Sequence, residues 1–138
     1  MDMLKNILER GINQIGANEE GIDMCGYTKL WVDDMRPLPK ECQDEGCWQA
    51  SRTPYEAMVK LELLEFEVLD IDHDMGCYIG NKEITGYDVL LWLAERKQKG
   101  LFVPPVIKIH TSNPAGWKNM KSVIDRYLQN DNIQIKRS

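Results

Sequence analysis

The sequence predicts an α/β domain of three layers, in which a mostly parallel central sheet lies between helices. Segments with the composition and alternation of strands take turns along the chain with segments of helical periodicity. That order is typical of βα units and a parallel sheet. Three of the predicted strands also end in polar clusters, which are Asp33-Asp34, Asp72-His73-Asp74 and the run from His110 to Asn113.

Length and charge narrow the class of protein. A chain of 138 residues is large enough for one domain with its own hydrophobic core. The net charge of -5 argues against an extended DNA-binding surface, which needs clustered Lys and Arg. No apolar run approaches the roughly 20 residues of a membrane span, and the N-terminus lacks the features of a signal peptide. We therefore expect a cytoplasmic protein with no membrane association and with reduced cysteines.

Residues 1–26 are predicted to be a helical extension and connector that precedes the main domain at 27–138. Apolar side chains over residues 2–15 follow the spacing of one helix face. Two interpretations are open for this helix: it packs on the core of its own domain, or it is a docking helix that forms a homodimer. The polar, glycine-containing residues up to 26 predict the connector.

The first half of the domain predicts strand, loop, strand and helix. Strand formers fill Tyr27–Val32, and a short edge strand is predicted at 48–52. Between them, residues 35–47 contain prolines, a glycine and mixed charges, which predict a loop and no helix. Thr53 and Glu56 have the spacing of a capping box, so we expect a helix to begin there.

The second half continues the alternation of strands and helices. In order, the predicted elements are a central strand at 66–72, a short polar loop, a helix that Thr85 caps and Gly100 ends, a strand at 104–109, a helix that opens at Pro114, and a last strand at 132–136. The fold class therefore depends on the pattern of the whole chain and not on any one segment.

The polar clusters at the strand ends predict a site. The carboxyl ends of parallel strands meet at one edge of a sheet, where ligands bind in open α/β folds. Hard carboxylate oxygens suit Mg²⁺ or Mn²⁺, and the candidate ligands are Asp33, Asp34, Asp72 and Asp74. Asp70 lies deeper on the same strand, and we expect it to have a structural partner. A solvated acidic turn is the alternative interpretation of the central cluster.

Several of these residues resemble a known family. Asp33-Asp34, Asp72, the Thr85-Gly86-Tyr87 helix start and Lys136 are similar to the response-regulator receiver domain, which has a flavodoxin-like fold. The loop at 35–47 replaces the first receiver helix, and His110 stands where a receiver usually has Ser or Thr. A closer resemblance is to the cyclic-phosphate processing receiver-like domain, over residues 27 to about 130. The motifs that carry it are Leu30 to Asp34 with Arg36-Pro37, Asp72 to Gly76, Thr85 to Asp88, and Ile109 to Pro114 with Gly116 and Asn119.

The resemblance implies a site for the cyclic or terminal phosphate of a nucleotide or RNA. As a metal-dependent phosphoesterase, the domain would use His73 or His110 as general acid or base, with Asp72 as an alternative nucleophile. The candidate phosphate-binding residues are Arg36, Thr111, Ser112, Asn113 and Lys136. Structural alternatives are an ion pair of Arg36 with the acidic pair and a helix cap by Asn113.

Two other functions stay open at this point. One is a non-catalytic, receiver-like sensor that binds a cyclic nucleotide or a protein partner in signalling. The other is a conventional phospho-acceptor of the two-component type, against which His110 and the His73-Asp74 pair argue. For both the phosphoesterase and the sensor, the expected ligand is a phosphorylated small molecule or a nucleotide.

Overall fold

The computed structural model of the protein describes residues 28–128. The strands are β1 (Lys29–Val32), β2 (Trp48–Ser51), β3 (Val68–Ile71), β4 (Cys77–Ile79), β5 (Lys82–Ile84) and β6 (Val106–Ile109), and the helices are α1 (Lys40–Glu45), α2 (Pro54–Leu63), α3 (Gly86–Gln98) and α4 (Pro114–Val123), which a π-helical turn (Ile124–Leu128) extends. The predicted helix at 2–15, the last strand at 132–136 and Lys136 lie outside the described residues. No helix within residues 28–128 is long and apolar enough to span a membrane.

The central sheet has four parallel strands in the order β2-β1-β3-β6, which confirms the predicted α/β fold. The backbone pairing continues one residue beyond three of the strands. The N–H of Asp33 donates to Ser51 O, that of Asp72 to Val32 O, and that of His110 to Ile71 O, over 2.9 to 3.1 Å. The sheet itself therefore places the first residue of each polar cluster at the same edge.

Side-chain alternation divides the sheet into two different faces. One face is apolar and buried under α2, α3 and α4, and its residues are Leu30, Val32, Leu69, Ile71, Ile107 and Ile109. The other face carries Trp31 and Val68, which pack with Trp48 against residues 38–47. Asp33, Asp70 and Asp72 continue the alternation of this second face, which thus leads into the polar edge.

Two short elements correct the sequence prediction. The segment 35–47 contains the helix Lys40–Glu45, which buries no side chain and ends at Gly46 in the left-handed region. The predicted polar loop after the central strand contains the antiparallel pair Cys77–Ile79 and Lys82–Ile84. Elements of six and three residues are too short to show a periodic apolar face, so the sequence pattern could not indicate them.

Side-chain caps begin the long helices, as the sequence predicts. The Thr53 hydroxyl accepts from Glu56 N at 3.1 Å, but the Glu56 carboxylate contacts Arg52 N instead of closing the box. Thr85 and Asp88 form a complete capping box at the start of α3. Asn113 caps α4 by accepting from Gly116 N at 3.0 Å, which is the structural role considered for this residue. The caps fix the starts of α3 and α4 at the polar edge.

Candidate functional site

Three carboxylates meet at the carboxyl edge of the sheet. Asp33, Asp34 and Asp72 each offer a ligand oxygen, and these oxygens all lie within 4.8 Å of one another. Asp33 is fully buried and Asp72 is 9% exposed. The structure therefore brings together three of the four predicted metal ligands in an all-oxygen donor set of the kind that Mg²⁺ and Mn²⁺ prefer.

Asp72 carries its charge at an energetic disadvantage. Burial raises the pKa of its carboxyl group, and the neighbouring Asp33 carboxylate raises it further. Hydrogen bonds from His73 N, at 2.7 Å, and from the Thr111 hydroxyl act in the opposite direction with smaller effect. The net pKa is raised, so a positive charge nearby would stabilise the ionised form.

The Asp33 carboxylate is held on both of its oxygens. Oδ1 accepts from Met35 N at 2.9 Å and from Arg36 N at 2.8 Å, which closes a tight turn after β1. Oδ2 lies 2.9 Å from His110 Nε2. Arg52 braces the same turn, because its Nη1 donates to the carbonyls of Asp33 and Arg36. Sequence reasoning missed Arg52, whose only local signal is its place after the edge strand.

His110 is buried between two carboxylates. Its Nδ1 lies 2.6 Å from Asp70 Oδ1, and the Trp31 ring stacks on the imidazole at 3.8 Å with an interplanar angle of 3°. Ionised carboxylates only accept hydrogen bonds, so both contacts are satisfied when both ring nitrogens carry a proton. His110 is 2% exposed and therefore does not face solvent. Asp70, for which the sequence predicted an unnamed structural partner, thus has one in His110.

His73 lies in a more open position. Its Nδ1 is 2.8 Å from Asp74 Oδ1, and Asn113 Nδ2 donates to that oxygen at 3.4 Å. Asp74 is thus the partner of His73 and is not a member of the three-carboxylate group. Within residues 28–128, Nε2 of His73 makes no hydrogen bond, and the side chain is 15% exposed.

Three glycines allow the close approach of backbone to the site. A Cβ at Gly86 would lie 2.0 Å from the carbonyl oxygen of Asp72, and one at Gly116 would lie 2.5 Å from Cγ of His73. Gly76 has a φ of 56°, and its Cβ would lie 3.0 Å from Asp34 Oδ2. Glycine at 86 and 116 therefore lets the first turns of α3 and α4 pack directly against the backbone of Asp72 and the ring of His73.

The predicted phosphate-binding residues have different surroundings. Arg36 and Ser112 are exposed in the loops after β1 and β6. Thr111 is buried. Its hydroxyl donates a hydrogen bond to the Asp72 carboxylate and accepts one from Asn113 N at 3.2 Å. Asn113 uses both ends of its amide in the cap and in the contact with Asp74. Of the predicted phosphate-binding residues within 28–128, Arg36 and Ser112 are therefore the ones with exposed side chains outside these contacts.

Comparison with known proteins gave one family. No curated protein matches the sequence. The family model of the Cyclic-phosphate processing Receiver domain matches residues 28–126, which is more than half of the chain and includes all six strands and the three carboxylates. The chain therefore belongs to the cyclic-phosphate processing receiver domain family.

Proposed function

We propose that this domain is a divalent-metal-dependent phosphoesterase that acts on the cyclic or terminal phosphate of a nucleotide or RNA. The family associates the chain with cyclic-phosphate processing. The observation that carries the finer proposal is the set of three carboxylate oxygens within 4.8 Å at the edge of the sheet. Asp33, Asp34 and Asp72 would hold Mg²⁺ or Mn²⁺, which would supply Lewis-acid polarisation there. The raised pKa of Asp72 supports a cation, since a cation relieves the repulsion from Asp33.

The surroundings of the carboxylates supply partial positive charge for a phosphate. The dipoles of α3 and α4 both point their positive ends to this edge, although the caps and Asp88 already use most of the first N–H groups. The exposed Arg36 lies in the turn after Asp33 and can bind phosphate oxygens through its guanidinium fork. A phosphate can therefore be oriented against the acidic group although the whole chain is negatively charged.

The two histidines differ in what they can do for proton transfer. The contact with Asp74 favours a proton on Nδ1 of His73, so that Nε2 can accept a proton from a water molecule that attacks phosphorus. As the new P–O bond forms, the old P–O ester bond breaks, and the departing oxygen receives the proton that Nε2 of His73 took from the water. The buried His110 cannot reach a ligand in this way and instead holds Asp33. His73 is thus the general base of the proposal.

A sensor that binds without turnover is the second candidate. It is favoured by the burial of His110 and by the internal contacts of Thr111 and Asn113, which leave few side chains for chemistry. The two candidates share the same metal and phosphate positions. They differ in whether a bound cyclic phosphate is opened.

An assay of the full chain separates them. The protein is incubated with 2′,3′-cyclic and 3′,5′-cyclic nucleotides and with RNA ending in a 2′,3′-cyclic phosphate, with Mg²⁺ or Mn²⁺ and with EDTA. Metal-dependent ring opening supports the phosphoesterase, and metal-dependent binding without ring opening supports the sensor. Labelling of Asp72 by acetyl phosphate would support the phospho-acceptor reading, and the absence of binding and turnover with all ligands contradicts the proposal.

Substitution of Gly116 by alanine should lower turnover more than stability. The new Cβ would lie 2.5 Å from His73 Cγ and must displace the ring from its contact with Asp74. We expect kcat to fall by about 100-fold, the lower range for loss of a general base, and the melting temperature to fall by less than in Gly86→Ala, because a side chain can move aside more easily than a backbone carbonyl. Ser122→Ala, on an exposed position of the same helix, is the control. A wild-type kcat in Gly116→Ala would exclude His73 as the base.

A further inference from the structure

Asp70 is the first residue of a chain of buried polar contacts. It lies on β3 two residues before Asp72, and its side chain is 16% exposed. From Asp70 Oδ1 the contacts run through Nδ1 of His110, at 2.6 Å, and from Nε2 to Asp33 Oδ2 at 2.9 Å. The chain of contacts ends on an oxygen of the three-carboxylate group, of which Asp70 itself is not a member.

The geometry leaves the imidazole ring one orientation. Trp31 stacks on its face, Asp70 holds one ring nitrogen, and Asp33 meets the other. A chain of buried charged groups is a poor source of net stability, since apolar residues of similar volume often do as well. What apolar residues cannot do is hold a carboxylate oxygen at a fixed place and angle.

We propose that Asp70 is a positioning residue of the metal site, which acts through His110 to orient the carboxylate of Asp33. The inference rests on the proposed function in one respect, namely that Asp33, Asp34 and Asp72 bind a divalent cation. Hydrogen-bond partners of ligating carboxylates commonly affect metal affinity without touching the metal. Asp70 is such a partner through one intervening residue, His110, and Trp31 keeps the His110 ring in its plane.

The test measures Mn²⁺ binding to the full chain by isothermal titration calorimetry. Asp72→Asn removes a ligand and defines loss of the site. Asp70→Asn keeps the volume of the side chain and should weaken Mn²⁺ binding by about tenfold, the lower end for outer-sphere partners. Glu67→Gln is the matched control, because it removes one carboxylate charge from an exposed position just before the same strand. Its affinity should equal that of the wild type.

A double-mutant cycle separates positioning from a simple charge effect. His110→Asn keeps an amide near Asp70 and removes the group that contacts Asp33. If Asp70 acts through His110, Asp70→Asn should have no further effect on Mn²⁺ affinity in the His110→Asn background. A tenfold loss that persists in that background would be a through-space effect of charge and would overturn the proposal.

The remaining outcomes of the Mn²⁺ titrations distinguish failure of the role proposed for Asp70 from failure of the proposed metal site. Wild-type affinity in Asp70→Asn, together with loss in Asp72→Asn, overturns the role of Asp70 and leaves the metal site intact. Failure of the wild-type protein to bind Mn²⁺, or binding that Asp72→Asn does not change, overturns both.

A measurement on the wild-type protein covers the case in which Asp70→Asn does not fold. The chain has two histidines, so the ring protons of His110 can be assigned by their absence in His110→Asn. Saturation with Mg²⁺ should shift the NMR resonance of the Nδ1 proton, on the Asp70 side of the ring. A resonance that Mg²⁺ leaves unchanged would show that Asp70 is not coupled to the site.

Discussion

Replacement of Asp72 by asparagine should abolish metal-dependent turnover and, in EDTA, raise the melting temperature of the protein. Asp72 is one of the three carboxylates that converge, so its loss would remove a proposed metal ligand and one of the three negative charges. In the absence of metal, the same charge is buried next to Asp33 and destabilises the fold. We expect a gain of about 1 kcal/mol in the free energy of unfolding, typical for relief of a destabilised site.

The pH dependence of this gain has a definite sign. Folding raises the pKa of the Asp72 carboxyl, so the folded protein holds that proton to higher pH than the unfolded chain does. The wild type therefore loses stability at this group as pH rises from the ordinary aspartate pKa to the raised one, and the loss is complete above it. The advantage of Asp72→Asn should be full above that window and should shrink as pH falls through it.

Thermal unfolding in EDTA and in saturating Mg²⁺ checks both effects. Mg²⁺ should stabilise the wild type but not Asp72→Asn, by about 2.7 kcal/mol at a concentration 100 times its dissociation constant. Asp44→Asn, the same substitution at an exposed carboxylate on α1, should leave the wild-type behaviour unchanged. If Asp72→Asn is less stable than the wild type in EDTA, the charge of Asp72 is compensated within the protein and the argument for a cation fails.

Replacement of Gly86 by alanine should destabilise the protein more than any other glycine substitution considered. The new Cβ would lie 2.0 Å from the carbonyl oxygen of Asp72 and 3.0 Å from Met120 Cε. A backbone carbonyl cannot turn away as a side chain can, so either α3 or the end of β3 must move. We expect a loss of about 3 kcal/mol, the upper range for overpacking, measured by urea unfolding.

Gly100→Ala is the matched control for this prediction. Gly100 has a φ of 76° but open space around its Cβ position, so alanine there meets conformational strain without a clash. That strain is worth about 1 kcal/mol. Because the Gly86 clash displaces the backbone of Asp72, a proposed metal ligand, Gly86→Ala should also weaken Mn²⁺ binding, whereas Gly100→Ala should not. A smaller loss of stability in Gly86→Ala than in Gly100→Ala would contradict the close approach of α3.

Local chemistry allowed much of the fold to be read from the sequence. Strand composition, apolar periodicity and the caps at Thr85 and Asn113 act within a few residues, so their outcome is visible in a short window of sequence. The parallel arrangement then follows from alternation, and with it the meeting of Asp33, Asp34 and Asp72 at one edge. The helix Lys40–Glu45 was missed because it has neither an apolar face nor a side-chain cap.

The roles of the two histidines were decided by tertiary structure. His110 is 40 positions from Asp70 and 77 positions from Asp33, and no local pattern connects residues so far apart. The order of residues along the chain showed only that both histidines follow predicted strands. Packing made one a buried link between two carboxylates and left the other beside Asp74 with one ring nitrogen available. The sequence alone thus determined which residues meet at the edge of the sheet. Burial and long-range hydrogen bonds determined which of these residues can touch a ligand. Burial and such hydrogen bonds depend on how distant segments pack, which a local sequence pattern does not contain.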